Sequence, residues 1–314
     1  MKTRLDIIIP CYNAKDTLFY TLSSISIQEG VEDFKVYLIN DKSDYDYHEE
    51  VDYFSKFFSI KEIKLNKNLG PGGARREGIK KSNSKYIMFI DSDDILFNAY
   101  SIKDLYYSCL GYDLCISNFI YERDNVKVVK RSNAIWLHGK MYSREFLEKY
   151  NISFNDSRAN EDNGFNRLIL LLKPRIYYLD KVTYVYRENS SSITRKDNRN
   201  YKIFGLEGLV YNMLWAMEEA LKRGADTSIV PFISTGLLIS MYYDYLYLID
   251  DKDVYYLLKY SKDILPYYYK YDKLNQDEFN RLVKEKEDTF KEEEKKYKKR
   301  ITFDDFLRMV EEYD

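Results

Sequence analysis

The sequence predicts an α/β fold, a largely parallel sheet covered by helices on both faces and followed by a purely helical region. In the first ninety residues, short apolar runs alternate with segments whose apolar residues recur at helical spacing. Each apolar run is continuous rather than alternating, which is typical of strands buried on both faces of a parallel sheet. Polar clusters follow three of these runs, at the ends of the strands where such a sheet binds its ligands.

Each element of this first part is predicted from its own local pattern. The strands are apolar runs rich in β-branched and aromatic residues, and the helices carry apolar residues three or four positions apart, such as Leu18, Leu22 and Ile25. Clusters of glycine, asparagine and aspartate separate the elements. In chain order they are strand Leu5–Ile9, helix Asp16–Ile27, strand Phe34–Ile39, a helix spanning Val51 to Phe58, strand Ile60–Leu65, the glycine-rich loop Asn68–Gly73, helix Ala74–Lys81, strand Tyr86–Ile90 and helix Ala99–Cys109.

From Asp113 the pattern mixes strands and helices, and after about Asn200 it is helical throughout. We therefore expect two domains, residues 1–200 and residues 201–314. In the mixed part the strands are Asp113–Phe119, Val126–Lys130, Ile176–Leu179 and Thr183–Tyr186, and the helices are Ser143–Tyr150 and Glu161–Leu172. In the last part the helices are Leu206–Lys222, Val230–Ile249, Asp253–Ile264 and Gln276–Lys299.

The composition is that of an ordinary globular protein, with 45% hydrophobic and 32% charged residues. A formal net charge of −2 argues against a general nucleic-acid binder, so no nucleic-acid partner is expected. The three cysteines have neither metal-ligand spacing nor a disulfide framework, which favours a reducing, cytoplasmic compartment. The stretch Ile229–Ile249 contains Pro231 and Asp244 and predicts a buried helix rather than a membrane span. Peripheral attachment to the inner face of the membrane stays open.

Three carboxylates, Asp91, Asp93 and Asp94, follow directly on the apolar strand Tyr86–Ile90. Crowded carboxylates repel one another and become tolerable when a divalent cation binds between them. Alternatively, this segment is an Asp-rich turn that caps the next helix. The clusters Pro10–Asn13 and Asn40–Ser43 follow two other strands of the same sheet, so we expect all three to converge on one crevice.

These three clusters and two further motifs, taken together and in order, resemble the family 2 glycosyltransferases of the GT-A fold. The resemblance covers roughly residues 4–195. It implies a Rossmann-like mixed sheet flanked by helices, which here is followed by a helical extension. The motifs that carry it are Pro10-Cys-Tyr12-Asn13, Asn40-Asp41-x-Ser43, Asn68-x-Gly70-x-x-x-Ala74-Arg75-x-x-Gly78, Phe89-Ile-Asp91-Ser-Asp93-Asp94 and Glu161-Asp162.

The resemblance implies that Asp41 contacts the base of a UDP-sugar, and a carboxylate can accept the imide N–H of uracil. Pro10, Tyr12 and Asn13 would shape the floor of that pocket, with the Tyr12 ring stacked on the base. The alternative for Asp41 is a turn or helix-capping aspartate, and the alternative for Asn13 is simple turn chemistry.

The segment that contains Asn68 and Gly70 leads into a helix, whose N-terminal N–H groups would face the diphosphate. A flexible entry to the helix is the alternative. We interpret Arg75 as a guanidinium that bridges the base-binding carboxylate and the diphosphate.

The resemblance assigns a Mn²⁺ or Mg²⁺ ion to the Asp-x-Asp pair. Asp93 would ligate the ion, Asp91 would face the ribose or the ion, and Asp94 would orient this turn or touch the donor sugar. Ser92, between them, is assigned to the nucleotide-sugar-binding residues. The ion's task would be to neutralise the leaving nucleoside diphosphate.

Glu161 and Asp162 begin a predicted helix, where acids are favoured by the helix dipole in any case. In the family, one acid of this pair deprotonates the acceptor hydroxyl, and we assign that role to Asp162 with Glu161 as its support. Direct attack on the anomeric carbon would then displace the nucleotide with inversion.

Four further residues are assigned to the acceptor or diphosphate side. The ring of Trp136 suits the apolar face of a sugar, and His138 either approaches the metal or is a structural histidine. Arg187 and Ser191 match a loop that closes near the diphosphate in the family. The Gln-x-x-Arg-Trp motif of processive members does not occur in the sequence, so a single transfer is expected.

We therefore expect one hexose-type sugar to pass from a UDP-sugar to a hydroxyl of a glycan, a wall polymer or a protein. The helical extension would position the acceptor or mediate self-association. A sugar nucleotidyltransferase is an alternative, but it needs a glycine-rich loop after the first strand, where Pro10–Asn13 has no glycine. A non-catalytic nucleotide-sugar-binding module is the other alternative, and the intact Asp93 and Asp162 argue against it.

Overall fold

The computed structural model describes residues 4–123, 126–187, 199–247, 253–290 and 301–313. The chain divides into two compact units, Met1–Arg195 and Lys196–Asp314. Within the described residues, the strands of the first unit are β1 Leu5–Cys11, β2 Phe34–Asn40, β3 Ser59–Lys64, β4 Tyr86–Phe89, β5 Ile95–Leu96, β6 Leu114–Arg123, β7 Val126–Lys130, β8 Lys140–Ser143 and β9 Ile176–Tyr186. Its helices are α1 Leu18–Ser26, α2 His48–Phe54, α3 Gly70–Lys81, α4 Ser101–Cys109, α5 Arg144–Lys149 and α6 Glu161–Leu171.

The strands form one mixed sheet in the order β3-β2-β1-β4-β8-β6-β9-β5, with β7 beside β6. Strands β1 to β4 are parallel, and Leu5 pairs with both Phe34 and Tyr86. Their side chains are almost completely buried in β1 and β4, as the continuous apolar runs predict. The mixed α/β fold with a helical C-terminal region is therefore confirmed, and the carboxyl ends of β1, β2 and β4 lie at one edge of the sheet.

The second half of the sheet is less regular than the sequence predicts. Strand β8 is antiparallel to both β4 and β6 and was not predicted, because four buried residues between polar turns give no clear period. The two-residue strand β5 was missed for the same reason. The predicted strands Ile176–Leu179 and Thr183–Tyr186 are one strand, β9, whose register with β6 shifts at Ser117–Asn118.

Helix α3 begins at Gly70, four residues before the predicted start at Ala74. The glycine-rich segment was predicted as a loop on glycine content alone. The N–H at the start of α3 is bound by the carboxylate of Asp41, which directly follows β2. Pro71 occupies the first turn, where proline is well tolerated. A tertiary cap therefore overrides the low helix propensity of glycine.

The second unit is helical throughout its described residues, as predicted. The window Ile229–Leu246 of α8 is long and apolar enough to cross a membrane by length and composition, and 67% of it is buried inside the protein. Helices α10 and α12 were not predicted, and α12 begins with a reciprocal capping box between Thr302 and Asp305. The helices are α7 Arg199–Lys222, α8 Ile229–Tyr247, α9 Val254–Lys262, α10 Leu265–Lys270, α11 Gln276–Phe290 and α12 Phe303–Glu311.

Candidate active site

The turn after β2 and the start of α3 are joined by the carboxylate of Asp41. Its two oxygens accept the N–H groups of Leu69 at 2.7 Å and Gly70 at 2.8 Å, and Asn68 Nδ2 donates to its backbone carbonyl at 3.1 Å. Asp41 is 2% exposed, and burial raises its pKa although the two N–H groups act to lower it. Gly70 has φ +76°, a conformation that favours glycine. Asp41 thus orders this corner of the crevice.

The turn after β1 lies against the same corner. Asn13 has φ 51°, its N–H donates to Ser43 Oγ at 3.1 Å, and its side-chain oxygen accepts the N–H of Asp44 at 2.9 Å. Asn13 therefore has the turn role that the sequence left as an alternative. Pro10 is half-buried, and Tyr12 is 55% exposed, so its ring is free of the core and open to solvent.

Arg75 connects two acids from distant parts of the chain. Its guanidinium donates to Asp91 Oδ1 at 2.5 Å and to Glu161 Oε1 at 2.7 Å, and the residue is 4% exposed. Burial acts to lower the pKa of Arg75, but the two carboxylates outweigh it and raise that pKa. The sequence paired Arg75 with the base-binding carboxylate, Asp41. The structure corrects that partner, because the helix N-terminus holds Asp41 and Arg75 points to the acidic turn.

Asp94 is the most deeply buried acid of that turn, at 0% exposed. Tyr184 Oη donates to one of its oxygens at 2.7 Å, and the backbone N–H of Arg187 donates to the other at 2.9 Å. Burial and the neighbouring Asp91 and Asp93 raise the pKa of Asp94 well above its usual value. Asp94 therefore orients the turn. Arg187 contributes its backbone here, while its guanidinium lies 5.2 Å from the centre of the Tyr20 ring.

His138 lies beside this turn within a cluster of aromatic rings. Its ring stacks on Tyr186 at 4.6 Å and Tyr184 at 5.1 Å, and its Nε2 is 3.8 Å from Asp94 Oδ2. Burial lowers the pKa of His138 to about 4, so the imidazole is neutral near pH 7. Within the described part of the chain, its buried Nδ1 has no hydrogen-bond partner.

Ligand atoms of Asp91, Asp94 and His138 lie within 4.8 Å of one another. Carboxylates together with a neutral imidazole that has an unsatisfied nitrogen make a donor set that fits a divalent cation such as Mn²⁺. Asp93 is not part of this group, and Ser92 beside it is half-buried. The sequence placed the ion on Asp93 and Asp91, and the role of Asp93 stays a prediction.

Glu161 and Asp162 begin α6, after Asn160 in a left-handed conformation. Glu161 is 7% exposed and bound to Arg75, whereas Asp162 is more exposed and accepts the N–H of Asn163 at 2.8 Å. Burial, followed by repulsion from Glu161, raises the pKa of Asp162 to about 7. A carboxylate with that pKa changes its protonation near neutral pH, as a general base needs.

The remaining predicted residues divide between the described and undescribed parts of the chain. Trp136 is half-buried and packs against Phe119, with ring centres 5.7 Å apart, and against His138. Ser191 lies outside the described residues. The sequence did not point to Arg158, whose guanidinium donates to Asn68 Oδ1 at 3.2 Å at the edge of the Asp41 corner. Arg158 lies only three residues before Glu161, and this closeness to a motif residue could have indicated that Arg158 belongs to the site.

Comparisons with known proteins agree with this fold. Residues 6–159 match the model of the family described as glycosyl transferase family 2. These residues form a family 2 glycosyltransferase domain. The resemblance in the sequence motifs is thereby confirmed.

Curated glycosyltransferases resemble this chain over part of their length. The glycosyltransferase GlyA of Streptococcus pneumoniae is 26% identical over 61% of this chain and 32% of its own length. The poly(ribitol-phosphate) β-N-acetylglucosaminyltransferase TarP of Staphylococcus aureus is 28% identical over 58% of this chain and 62% of its own length. The chain thus spans between a third and two thirds of these relatives.

Solved structures of other glycosyltransferases share the fold. Residues 1–349 of TarS from S. aureus, solved with UDP-GlcNAc, superpose with a TM-score of 0.71 and 18% identity, over 91% of this chain and 85% of that one. The mannosyltransferase PcManGT from Pyrobaculum calidifontis, solved with GDP-Man and Mn²⁺, has a TM-score of 0.55 and 13% identity, over 99% of this chain and 85% of that one. Both are evidence that this family 2 chain has a GT-A fold.

Proposed function

We propose that this chain is an inverting glycosyltransferase that moves one sugar from a UDP-sugar, with UDP-GlcNAc as the first candidate, to an acceptor hydroxyl. The observation that carries the proposal is the chain of contacts from Asp91 through Arg75 to Glu161, which is next to Asp162. It links the acidic turn, on the donor side, to an acid whose pKa is about 7. A donor site and a general base are thereby held in one rigid unit.

The proposed nucleotide site is the corner around Asp41. Its carboxylate oxygens each accept one backbone N–H, and a carboxylate has about four acceptor positions, which leaves capacity for the imide N–H of uracil. The exposed ring of Tyr12 would stack on the base, above Pro10 and Asn13. Asn68 and Gly70 bring the positive end of α3 toward the diphosphate.

The proposed metal is Mn²⁺ or Mg²⁺, held by Asp91 and Asp93, with Asp94 and His138 as the other donors nearby. When bound, the ion would supply positive charge to the leaving nucleoside diphosphate. An imidazole donor favours Mn²⁺ over Mg²⁺, which prefers oxygen ligands. Arg75 would hold the Asp91 side chain in place, and Tyr184 would hold that of Asp94.

In the proposed reaction Asp162 accepts the proton of the acceptor hydroxyl. The hydroxyl oxygen forms a bond to the anomeric carbon of the donor sugar from the side opposite UDP. The bond from that carbon to the UDP oxygen breaks, and UDP leaves with the electron pair. The configuration at the anomeric carbon is inverted, and Glu161 keeps its place beside the base through Arg75.

The acceptor is proposed to be a glycan, with a wall polymer or a protein as the wider class. TarP is named for transfer to poly(ribitol phosphate), which makes that polymer a suitable first probe. We further propose a cytoplasmic protein, with peripheral association at the inner face of the membrane, and a role for the second unit in acceptor positioning or self-association. We also propose that the boundary between the two domains lies near residue 200.

The decisive experiment measures donor binding and transfer separately. Isothermal titration with UDP-GlcNAc, UDP-glucose and GDP-mannose, each with and without Mn²⁺, is expected to give binding of a UDP-sugar that requires Mn²⁺. UDP release is then measured with poly(ribitol phosphate) as acceptor. If no UDP-sugar binds, the donor assignment is wrong.

The variant Asp162→Asn distinguishes an enzyme from a binding module. It is expected to bind the UDP-sugar as the wild type does and to lose transfer by about 10²–10⁴-fold, the usual contribution of a general base. The matched control is Asp52→Asn, the same change at an exposed residue of α2. Transfer by Asp162→Asn at the wild-type rate would contradict the assignment of the base.

A further inference from the structure

Lys140, at the start of β8, is a completely buried lysine that the proposed reaction does not use. It is 0% exposed. Burying an ammonium group is costly unless hydrogen bonds replace its water, so the partners of Lys140 indicate what it is for. Its Nζ donates to the carbonyl of Asn133 at 2.6 Å and to the carbonyl of Trp136. Both carbonyls belong to the loop that precedes His138.

The same loop is held by a second buried side chain, Asn166, which lies on α6. Asn166 is 0% exposed, and its Nδ2 donates to the carbonyl of Ile135 at 2.6 Å. Its Oδ1 accepts the hydroxyl of Tyr142 at 2.9 Å, and Tyr142 lies two residues after Lys140 on β8. Lys140 on β8 therefore binds the carbonyls of residues 133 and 136, and Asn166 on α6 binds that of residue 135.

Asn166 and Asp162 are four residues apart on α6, so they lie on the same side of the helix. The loop also has internal bonds, because Asn133 Oδ1 accepts the N–H groups of Ile135 at 2.8 Å and Trp136 at 2.9 Å. The Trp136 ring is thus held relative to the helix that carries the proposed base. Neither Lys140 nor Asn166 reaches the solvent.

We propose that Lys140 is a positioning residue for the acceptor: it fixes the loop 133–137, and with it the Trp136 ring, relative to Asp162. An indole ring presents a flat apolar face that suits the C–H face of a sugar or sugar alcohol, so the proposal concerns an acceptor of that class. It rests on the proposed function for the roles of Trp136 and Asp162. The hydrogen bonds from Lys140 to the carbonyls of the loop form a tether. This tether is a feature of the fold, so it can be tested without an activity assay.

The first test uses fluorescence. The sequence has two tryptophans, Trp136 and Trp215, so Trp215→Phe leaves Trp136 as the single reporter. In that background, Lys140→Met is expected to raise the acrylamide quenching constant of Trp136 about twofold or more, since a loop without its side-chain tether opens to solvent. The matched control, Lys149→Met, changes an exposed lysine of α5 and is expected to leave quenching unchanged. Unchanged quenching in Lys140→Met would overturn the proposal.

A second variant keeps the test valid if Lys140→Met does not fold. Lys140→Gln keeps a polar group at this buried position, but its side chain is one atom shorter and its amide falls short of the carbonyls of Asn133 and Trp136. It is expected to raise quenching in the same direction. Far-ultraviolet circular dichroism identifies variants that are folded, and a folded Lys140→Gln with wild-type quenching would contradict the tether.

The second test separates acceptor from donor effects by UDP release from UDP-GlcNAc in the presence of Mn²⁺. For Lys140→Met, the KM for poly(ribitol phosphate) is expected to rise about tenfold, a loss typical of misplaced binding groups, while the Kd for UDP-GlcNAc stays within about twofold. An equal loss of donor affinity would mean that Lys140 supports the whole domain and would overturn the positioning role. If the wild type binds no UDP-sugar, the proposed function fails, whereas quenching still decides the tether.

Discussion

Arg75 shows at the residue scale how the site is held together. It neutralises Asp91, 16 residues away, and Glu161, 86 residues away, in a place where its own exposure is 4%. Beside it, Asp91 has a pKa that burial acts to raise and Arg75 lowers. The guanidinium of Arg75 thus favours the ionised form of Asp91 while it also binds Glu161.

We expect Arg75→Met to destabilise the protein by about 3–5 kcal/mol at pH 8, because it leaves the buried Glu161 and the partly buried Asp91 without their partner. Without Arg75 the pKa of Asp91 rises, so protonation relieves part of the loss, and the destabilisation should shrink toward pH 5. Urea unfolding at both pH values measures the effect. Arg175→Met is the control, since Arg175 forms an exposed ion pair with Asp113 and should matter little. Equal losses in the two variants would contradict this account.

The raised pKa of Asp162 leads to a prediction about how activity and stability depend on pH. A general base works only when ionised, so kcat/KM should rise with pH until about 7, where Asp162 is half ionised, and then level off. A raised pKa also means that the folded state binds this proton more tightly than the unfolded state does. Stability contributed by Asp162 is therefore lost as the pH rises from about 4 to about 7.

Asp162→Asn should consequently be more stable than the wild type at pH 8 and equal to it near pH 4. Thermal unfolding across this range measures the difference, and the pH profile of UDP release measures the activity. Asp52→Asn should show neither effect. A flat activity profile between pH 6 and pH 8 would argue against Asp162 as the base.

At the scale of elements, the approach of α3 to α6 decides where the proposed base, Asp162, lies. Gly72 makes that approach close, because a Cβ there would lie 2.8 Å from Glu161 Cγ and 3.1 Å from Glu161 Cβ. Contacts this short force the neighbour to move. The position of Glu161, and of Asp162 after it, thus depends on the absence of a side chain in the first turn of α3.

We expect Gly72→Ala to cost about 1–3 kcal/mol, as overpacking does, and to lower transfer because it displaces the start of α6. Gly205→Ala is a matched control within α7, where an added Cβ meets no atom of the described residues within 4 Å. There the helix propensity of alanine should stabilise the protein slightly. Urea unfolding and UDP release measure both variants, and a neutral Gly72→Ala would show that the two helices have room to separate.

At the scale of the whole molecule, the chain consists of two compact units that meet in sequence near residue 195. The first contains the mixed sheet and the described site residues, and the second buries apolar side chains of its own helices, such as Met217, Leu238 and Phe306. Each unit has a core of its own, as separately folding domains do.

Calorimetry is expected to show two thermal transitions, one for each unit. UDP and Mn²⁺ are proposed to bind the first unit only. At a ligand concentration 100 times Kd they should stabilise that unit by about 2.7 kcal/mol and so raise the temperature of its transition. The other transition should not move. A single transition that moves as a whole would mean that the two units unfold together.

Much of the fold and part of the site could be predicted, because both depend on local patterns. Largely apolar runs identified β1, β2 and β4, and turn residues after them located Asp41 and Asp91 at one edge of the sheet. Short elements such as β8 could not be predicted, since four residues are too few to establish a period. The helical start at Gly70 was missed because its cap comes from another strand.

The α/β class, the helical second half and the acids that meet at one edge of the sheet can all be predicted from the amino-acid sequence. Hydrophobic periodicity and turn chemistry depend on residues that are close together in the sequence, so they can be recognised without the tertiary structure. The folded chain is needed to show that Arg75 joins Asp91 to Glu161, that His138 lies beside Asp94 and that Lys140 binds the loop of Trp136. Burial and close approach between distant parts of the chain select those partners, and no local pattern encodes them.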